Sequence, residues 1–124
     1  MPQITGFESL DCWKDGVSLA VQIYRISSQG DLAKDFGLRD QIRKSAVSVP
    51  SNISEGKERE TVKEFIRFLY IAKGSSGELR TQLIIANQIG YLTDAISGTL
   101  IEKTVKISGM IGNLIKFLKR NRTK

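Results

Sequence analysis

Apolar residues recur every three or four positions in four separate stretches of the chain, and no stretch alternates with a period of two over any length. The first stretch, about residues 9–27, sets Leu10, Trp13, Val17, Ala20 and Tyr24 on one helical face, with Leu19, Ile23 and Ile26 as a second strip beside it. Ser9 is placed to cap this helix, and Asp11 falls in the first turn, where a carboxylate meets the positive end of the helix dipole. The segment SSQGDLAKDFG, 27–37, reads as a connection.

The second stretch, about 37–56, steps through Leu38, Ile42, Ala46, Val49 and Ile53. Pro50 lies inside it, yet the apolar stripe keeps its phase on either side. That predicts a helix kinked at Pro50, with the bond to the Ala46 carbonyl lost and Ser45, Ser48 and Ser51 near the freed groups. The alternative is a helix that stops at Val49, before a separate turn. Gly56 is the expected C-terminal cap. The third stretch, about 61–90, opens with the capping box TVKE, in which Thr61 is the N-cap and Glu64 the third helical residue. It runs through Phe65, Phe68, Leu69, Ala72, Ser76, Leu79, Leu83 and Ala86. The small residues of KGSSGE, 73–78, suggest close approach of a neighbouring helix there, Gly74 in particular. The fourth stretch, about 94–120, repeats Leu100, Thr104, Ile107, Ile111, Leu114 and Leu118, flanked by Ile101, Val105, Gly112 and Ile115; the closing NRTK should fray.

Four long helices with short links predict one all-α domain, residues 1–124, folded as an antiparallel up-down-up-down four-helix bundle with its second helix kinked. Folding the second and third helices about residue 58 places Ala46 near Ala72, Val49 near Phe68 and Ile53 near Phe65. It faces Pro50 toward Phe68 and brings Arg39 and Arg43 within reach of Glu78 for a salt bridge. The second apolar strips of helices one and four lack an intramolecular partner, which points to self-association.

Charge changes this picture. Residues 1–96 carry twelve Lys/Arg and twelve Asp/Glu, whereas 97–124 carry seven Lys/Arg against Glu102 alone, so the whole net charge of +6 lies in the last segment. Lys116, Lys119, Arg120, Arg122 and Lys124 are therefore the candidate contacts to a polyanion. A solvated helix end favoured by its own dipole is the plainer explanation of the same residues. No histidine is present, which removes the usual zinc and non-haem iron ligands, Glu-x-x-His di-iron pairs, histidine-based triads and Arg…His bundle ribonucleases. No activated nucleophile or phosphate-cradling loop is evident, so neither enzyme activity, metal, cofactor nor small-molecule substrate is expected. The single Cys12 allows no internal disulfide, the N-terminus has no signal-peptide pattern, and no apolar run reaches membrane-span length. A cytoplasmic protein is expected, with no membrane partner.

The segments FESLDCWKDGVSLAVQIYRI, LRDQIRKSAVSVPSNISEGKERETVKEFIRFLYIAKGSSGELRTQL and IANQIGYL resemble the bacterial four-helix-bundle proteins first described from intervening sequences of 23S rRNA genes. Their relatives include the accessory variability protein of diversity-generating retroelements. The resemblance covers about residues 7–120. Pro50, Asn52, Glu55, Gly56, Glu64, Phe65, Leu69, Ala72, Gly74, Ser75 and Glu78 stand where the family's pattern has them, while Ser76, Gly77 and the strongly basic tail depart from it. It implies a homopentameric ring and a proline inside the second helix. Through the retroelement relative it also implies structured RNA or a nucleic-acid enzyme as partner. The functional expectation is thus an oligomeric, non-enzymatic protein that binds RNA through positive surface with little sequence preference. The alternative is a protein–protein adaptor with no nucleic-acid role.

Overall fold

The computed structural model describes residues 6–122, the last of them by its backbone only. A short 3-10 turn, Phe7–Ser9, precedes α1 (Asp11–Ser27), α2 (Gly30–Lys34), α3 (Phe36–Lys57), α4 (Val62–Gln88) and α5 (Asp94–Arg122), and no strand occurs among the described residues. The four long helices coincide with the four periodic stretches. The expected plain connection 27–37 instead contains α2, seated by Leu32, which is 1% exposed.

Several local expectations change at the helix ends. Ser9 does not cap α1: Leu10 holds the cap position and the Ser9 hydroxyl donates to the Gly6 carbonyl at 2.8 Å. Thr61 caps α4 as expected, its hydroxyl accepting the Glu64 N–H at 3.1 Å. Gly56 does not cap α3, which runs on to Lys57. Gly90 is the glycine that ends a helix, at φ +87°, with the Tyr91 N–H reaching back to the Ala86 carbonyl at 2.9 Å. Of the NRTK end, Asn121 and Arg122 lie within α5, and the Asn121 side-chain amide donates to the Phe117 carbonyl at 2.7 Å; Thr123 and Lys124 lie outside the described residues. Asp35 joins two parts of the chain. One carboxylate oxygen accepts the Leu38 N–H and caps α3, and the other accepts the Tyr91 hydroxyl at 3.0 Å, which raises the phenol pKa above its ordinary value.

Pro50 lies within α3, and Ile42, Ala46, Val49 and Ile53 are all buried on either side of it. It faces α1 rather than Phe68: a Cβ placed on Gly16 would stand 3.4 Å from the proline Cδ. α1 packs on α3 and α5, and α4 packs on α3 and α5, around a core that includes Ile23, Leu32, Ile42, Ile53, Leu69, Leu79, Leu83, Ile107 and Ile111. Along α3 and α4, Ser45 meets Glu78 while Gly56 meets Phe65 and Phe68. The expected fold about residue 58 is therefore displaced, because α3 continues to Lys57 and the link to α4 follows it.

The displaced register and the rotation of α3 undo the expected Arg39/Arg43–Glu78 bridge. Arg39 pairs with Asp40 at 2.9 Å and donates to the Ala33 carbonyl. Arg43 donates to Ser27 at 2.7 Å and to Ser28 at 3.0 Å. The Glu78 carboxylate instead accepts from the Ser45 hydroxyl at 3.4 Å. Close helix approach is also relocated. Nothing lies within 4 Å of a Cβ built on Gly74, which is exposed, whereas a Cβ on Gly56 would meet Phe68 Cβ at 2.7 Å.

The strips on α1 are exchanged relative to expectation. Leu19 and Ile23 enter the core, while Val17, Val21 and Tyr24 border an open apolar groove of about 410 Å³ shared with Val47 and Pro50 of α3. On α5, Ile115 is buried and Val105 is left exposed. Cys12 is buried and unpaired, and desolvation raises its thiol pKa. No helix among the described residues is long and apolar enough to cross a membrane.

Candidate nucleic-acid interface

The seven cations of the last segment separate into two sets. Lys103 and Lys106 serve the α1–α5 seam: the Lys103 ammonium donates to the Gln22 side chain at 2.7 Å, and Lys106 lies 3.7 Å from the Asp15 carboxylate. Lys116, Lys119 and Arg120 are exposed near the C-terminal end of α5. Arg122 ends the helix with its side chain outside the described residues, and Lys124 lies wholly outside them.

Lys116 lines a groove of about 460 Å³ between α4 and α5. Across the groove stand Lys73 and Arg80, two helical turns apart on α4, and no carboxylate is among the lining residues. The floor is small and neutral. Lys73 crosses Gly112, its Cε only 3.6 Å from where a Cβ on that residue would sit, and Ser108, Gly109, Asn113 and the exposed Val105 complete the α5 wall. A polyanion backbone can therefore come close to the helix surface here.

Arg80 is held by a hydroxyl network. Its Nε donates to Thr104 Oγ1 and a terminal guanidinium nitrogen donates to Ser108 Oγ, both at 3.1 Å. Ser108 donates in turn to Ser76 Oγ at 2.8 Å, and Ser76 donates to the Thr104 carbonyl at 3.0 Å. Ser76 and Thr104 are buried, so these bonds fix the guanidinium without neutralising it. Two of its five N–H donors are accounted for by these contacts.

Further along α5, the Lys119 ammonium donates to the Tyr70 hydroxyl at 2.7 Å and lies 5.1 Å from the centre of that ring. Lys73, Arg80, Lys116 and Lys119 make no ion pair among the described residues, in contrast to Arg59 with Glu55 and Arg67 with Glu64, each bonded at under 3 Å. The Arg67 hydrogen bond holds the Glu64 carboxyl below its ordinary pKa, so this pair is charged but mutually engaged.

The candidates read from the sequence include Lys116 and Lys119 but not Lys73, Arg80 or Tyr70, which the fold brings to the same seam. The available signal was the short turn at 89–93. Folding the last two helices about it sets Lys73 beside Gly112 and Arg80 beside Thr104, as observed.

The molecule is thus defined as an all-α protein of four long helices with a carboxylate-free cationic groove between the last two. The family described as 23S rRNA-intervening sequence protein matches residues 8–113, and the chain belongs to that family. The fold is also that of a protein of unknown function from the S23 ribosomal protein family of Bacteroides thetaiotaomicron VPI-5482. The TM-score is 0.78 at 23% identity, over 85% of this chain and 98% of that one. No curated protein matches the sequence.

Proposed function

We propose that the protein is a non-enzymatic RNA-binding scaffold that assembles as a ring of identical chains and holds RNA phosphates along the α4–α5 groove. The observation that carries this reading is the set of four cations, Lys73, Arg80, Lys116 and Lys119, gathered on one seam without a carboxylate partner. Clustered uncompensated cations attract a polyanion and release its counterions, which is the chief source of sequence-independent affinity. The groove offers cations and neutral hydroxyls but no general base, so the reading assigns it binding and no catalysis. The cytoplasm, the setting suggested by the lone Cys12, supplies such RNA.

Each chain in this reading is an up-down-up-down four-helix bundle with α3 kinked at Pro50. Antiparallel pairing is supported by Gly16 against Pro50 with Ser27 against Arg43, and by Lys73 against Gly112 with Asn87 against Asp94. A kink follows from the lost backbone bond at Pro50. Self-association is supported by two different surfaces on one chain. One is the apolar α1–α3 groove; the other is the outer face of α4, where Ile71, Ile84 and Ile85 are exposed and a Cβ on Gly74 would meet no other side chain. Two unlike surfaces on one chain suit a head-to-tail contact, which generates a ring where the rotation between copies closes. Five copies is the number that the family resemblance implies.

Replacing Lys73, Lys116 and Lys119 together by Gln tests the binding site, because none of the three belongs to the buried core. The expected result is unchanged helicity with weaker RNA binding. The slope of log K against log salt should flatten by about 0.7 for each lost contact to a single strand. Parent-like affinity and slope in this variant would remove the groove from consideration. Absence of RNA binding by the parent at low salt would favour the adaptor role, with the α1–α3 groove as the docking surface.

A further inference from the structure

Resting on the nucleic-acid reading above, we infer that the α4–α5 groove accepts a single-stranded segment and discriminates against duplex, with Tyr70 stacking on an unpaired base. The ring is 50% exposed, so it holds much of its apolar surface in water. It adjoins the cationic seam, bonded to Lys119 through its hydroxyl. The other exposed rings near cations are differently placed. Arg39, over Phe36, is paired with Asp40, and Arg43, over Tyr24, is bonded to Ser27 and Ser28. Tyr70 therefore combines an exposed ring with a cation that has no carboxylate partner.

The shape of the seam supports the same choice. The cations follow α5 from Ser108, where Arg80 is bonded, past Gly112, which Lys73 crosses, to Lys116 and Lys119. The eleven steps from Ser108 to Lys119 span about 17 Å at the rise of an α-helix. Packed helices have axes only about 8–10 Å apart, so the furrow between them is narrower than a duplex. A duplex reaches it with one backbone and keeps its bases stacked inside. A single strand lies along the furrow and can turn a base onto the Tyr70 ring. Cations tracking a backbone beside an exposed aromatic ring are the arrangement that retains single strands without reading their sequence.

The test uses the full chain and two fluorescein-labelled probes, an oligouridylate of about twelve nucleotides and an RNA duplex of similar length, read by anisotropy at low salt. The expected result is tighter binding of the oligouridylate. The variant Tyr70→Leu should weaken that binding about tenfold, while duplex binding stays within about twofold of the parent. Tyr70→Phe should retain most of the oligouridylate affinity, because the ring persists when the hydroxyl bond to Lys119 is lost. Equal affinity of the parent for the two probes would overturn the inference and leave the RNA reading intact. So would a Tyr70→Leu variant of parent helicity and assembly that binds the oligouridylate as the parent does. If the parent binds neither probe, the RNA reading itself fails and the inference with it.

Discussion

Gly56 of α3 lies directly against Phe68 of α4, with the phenylalanine Cβ 2.7 Å from where a Cβ on the glycine would stand. The Phe65 carbonyl is 3.2 Å from the same point, so the obstacle includes backbone and cannot rotate away. Gly56→Ala should therefore destabilise the protein, despite the better helix propensity of alanine. Overpacking costs about 1–3 kcal/mol and the propensity gain returns about 1 kcal/mol. A urea titration should show an earlier midpoint than the parent. Gly16→Ala is the control: its added Cβ meets Pro50 and Val49 at ordinary contact distances, and the substitution should be neutral or stabilising.

Gly74 predicts the opposite separation of effects. A side chain there meets nothing in its own chain, so Gly74→Leu should leave helicity and monomer packing unchanged. In the ring proposed above it obstructs the neighbouring copy. Light scattering at micromolar concentration should give about five times the 13.8 kDa chain mass for the parent and a smaller assembly for the variant. A parent that remains at one chain mass at every concentration would refute the ring.

The Tyr91–Asp35 bond predicts a pH dependence. The hydroxyl pKa is raised in the folded protein, chiefly by its hydrogen bond to the carboxylate. The neutral phenol is the form that the fold favours. Its contribution is complete below the ordinary tyrosine pKa of about 10 and is lost as pH rises through the higher folded value. Parent stability should accordingly fall above about pH 10 more steeply than that of Tyr91→Phe, which has no proton to lose at this position. Parallel urea midpoints across that range would show that the bond contributes nothing.

The periodicity of the chain made four helices legible, including the passage through Pro50, because Val49 and Ile53 keep the phase set by Ile42 and Ala46. A stripe records which face is buried but not which neighbour buries it. That is why Leu19 and Ile23 read as spare although they are core, and why Arg43 was directed to Glu78 although its face of α3 turns toward Ser27. Glycine spacing was ambiguous for a related reason. Gly56 and Gly74 look alike in one dimension, and only the register between α3 and α4 distinguishes the one under Phe68 from the one in the open. The basic end was legible as charge. Its partners Lys73 and Arg80 were hidden in a segment of zero net charge, where acids elsewhere on the helices cancel them in a sum but not in space.

The hydroxyl ladder behind Arg80 also bears on how α4 and α5 choose their alignment. A seam built only of leucine and isoleucine tolerates a slip of one turn, since one apolar knob replaces another. Here a one-turn slip would leave Arg80 with one hydroxyl acceptor in place of two, since Thr104 and Ser108 stand a turn apart, and would draw the buried Ser76 away from the pair of groups it bonds. Unmade bonds of buried polar groups cost more than made ones contribute, so the penalty falls on the wrong alignment. The ladder works as a notch cut into an otherwise smooth edge. It admits one setting of the two helices, and with it one spacing between the lysines they carry.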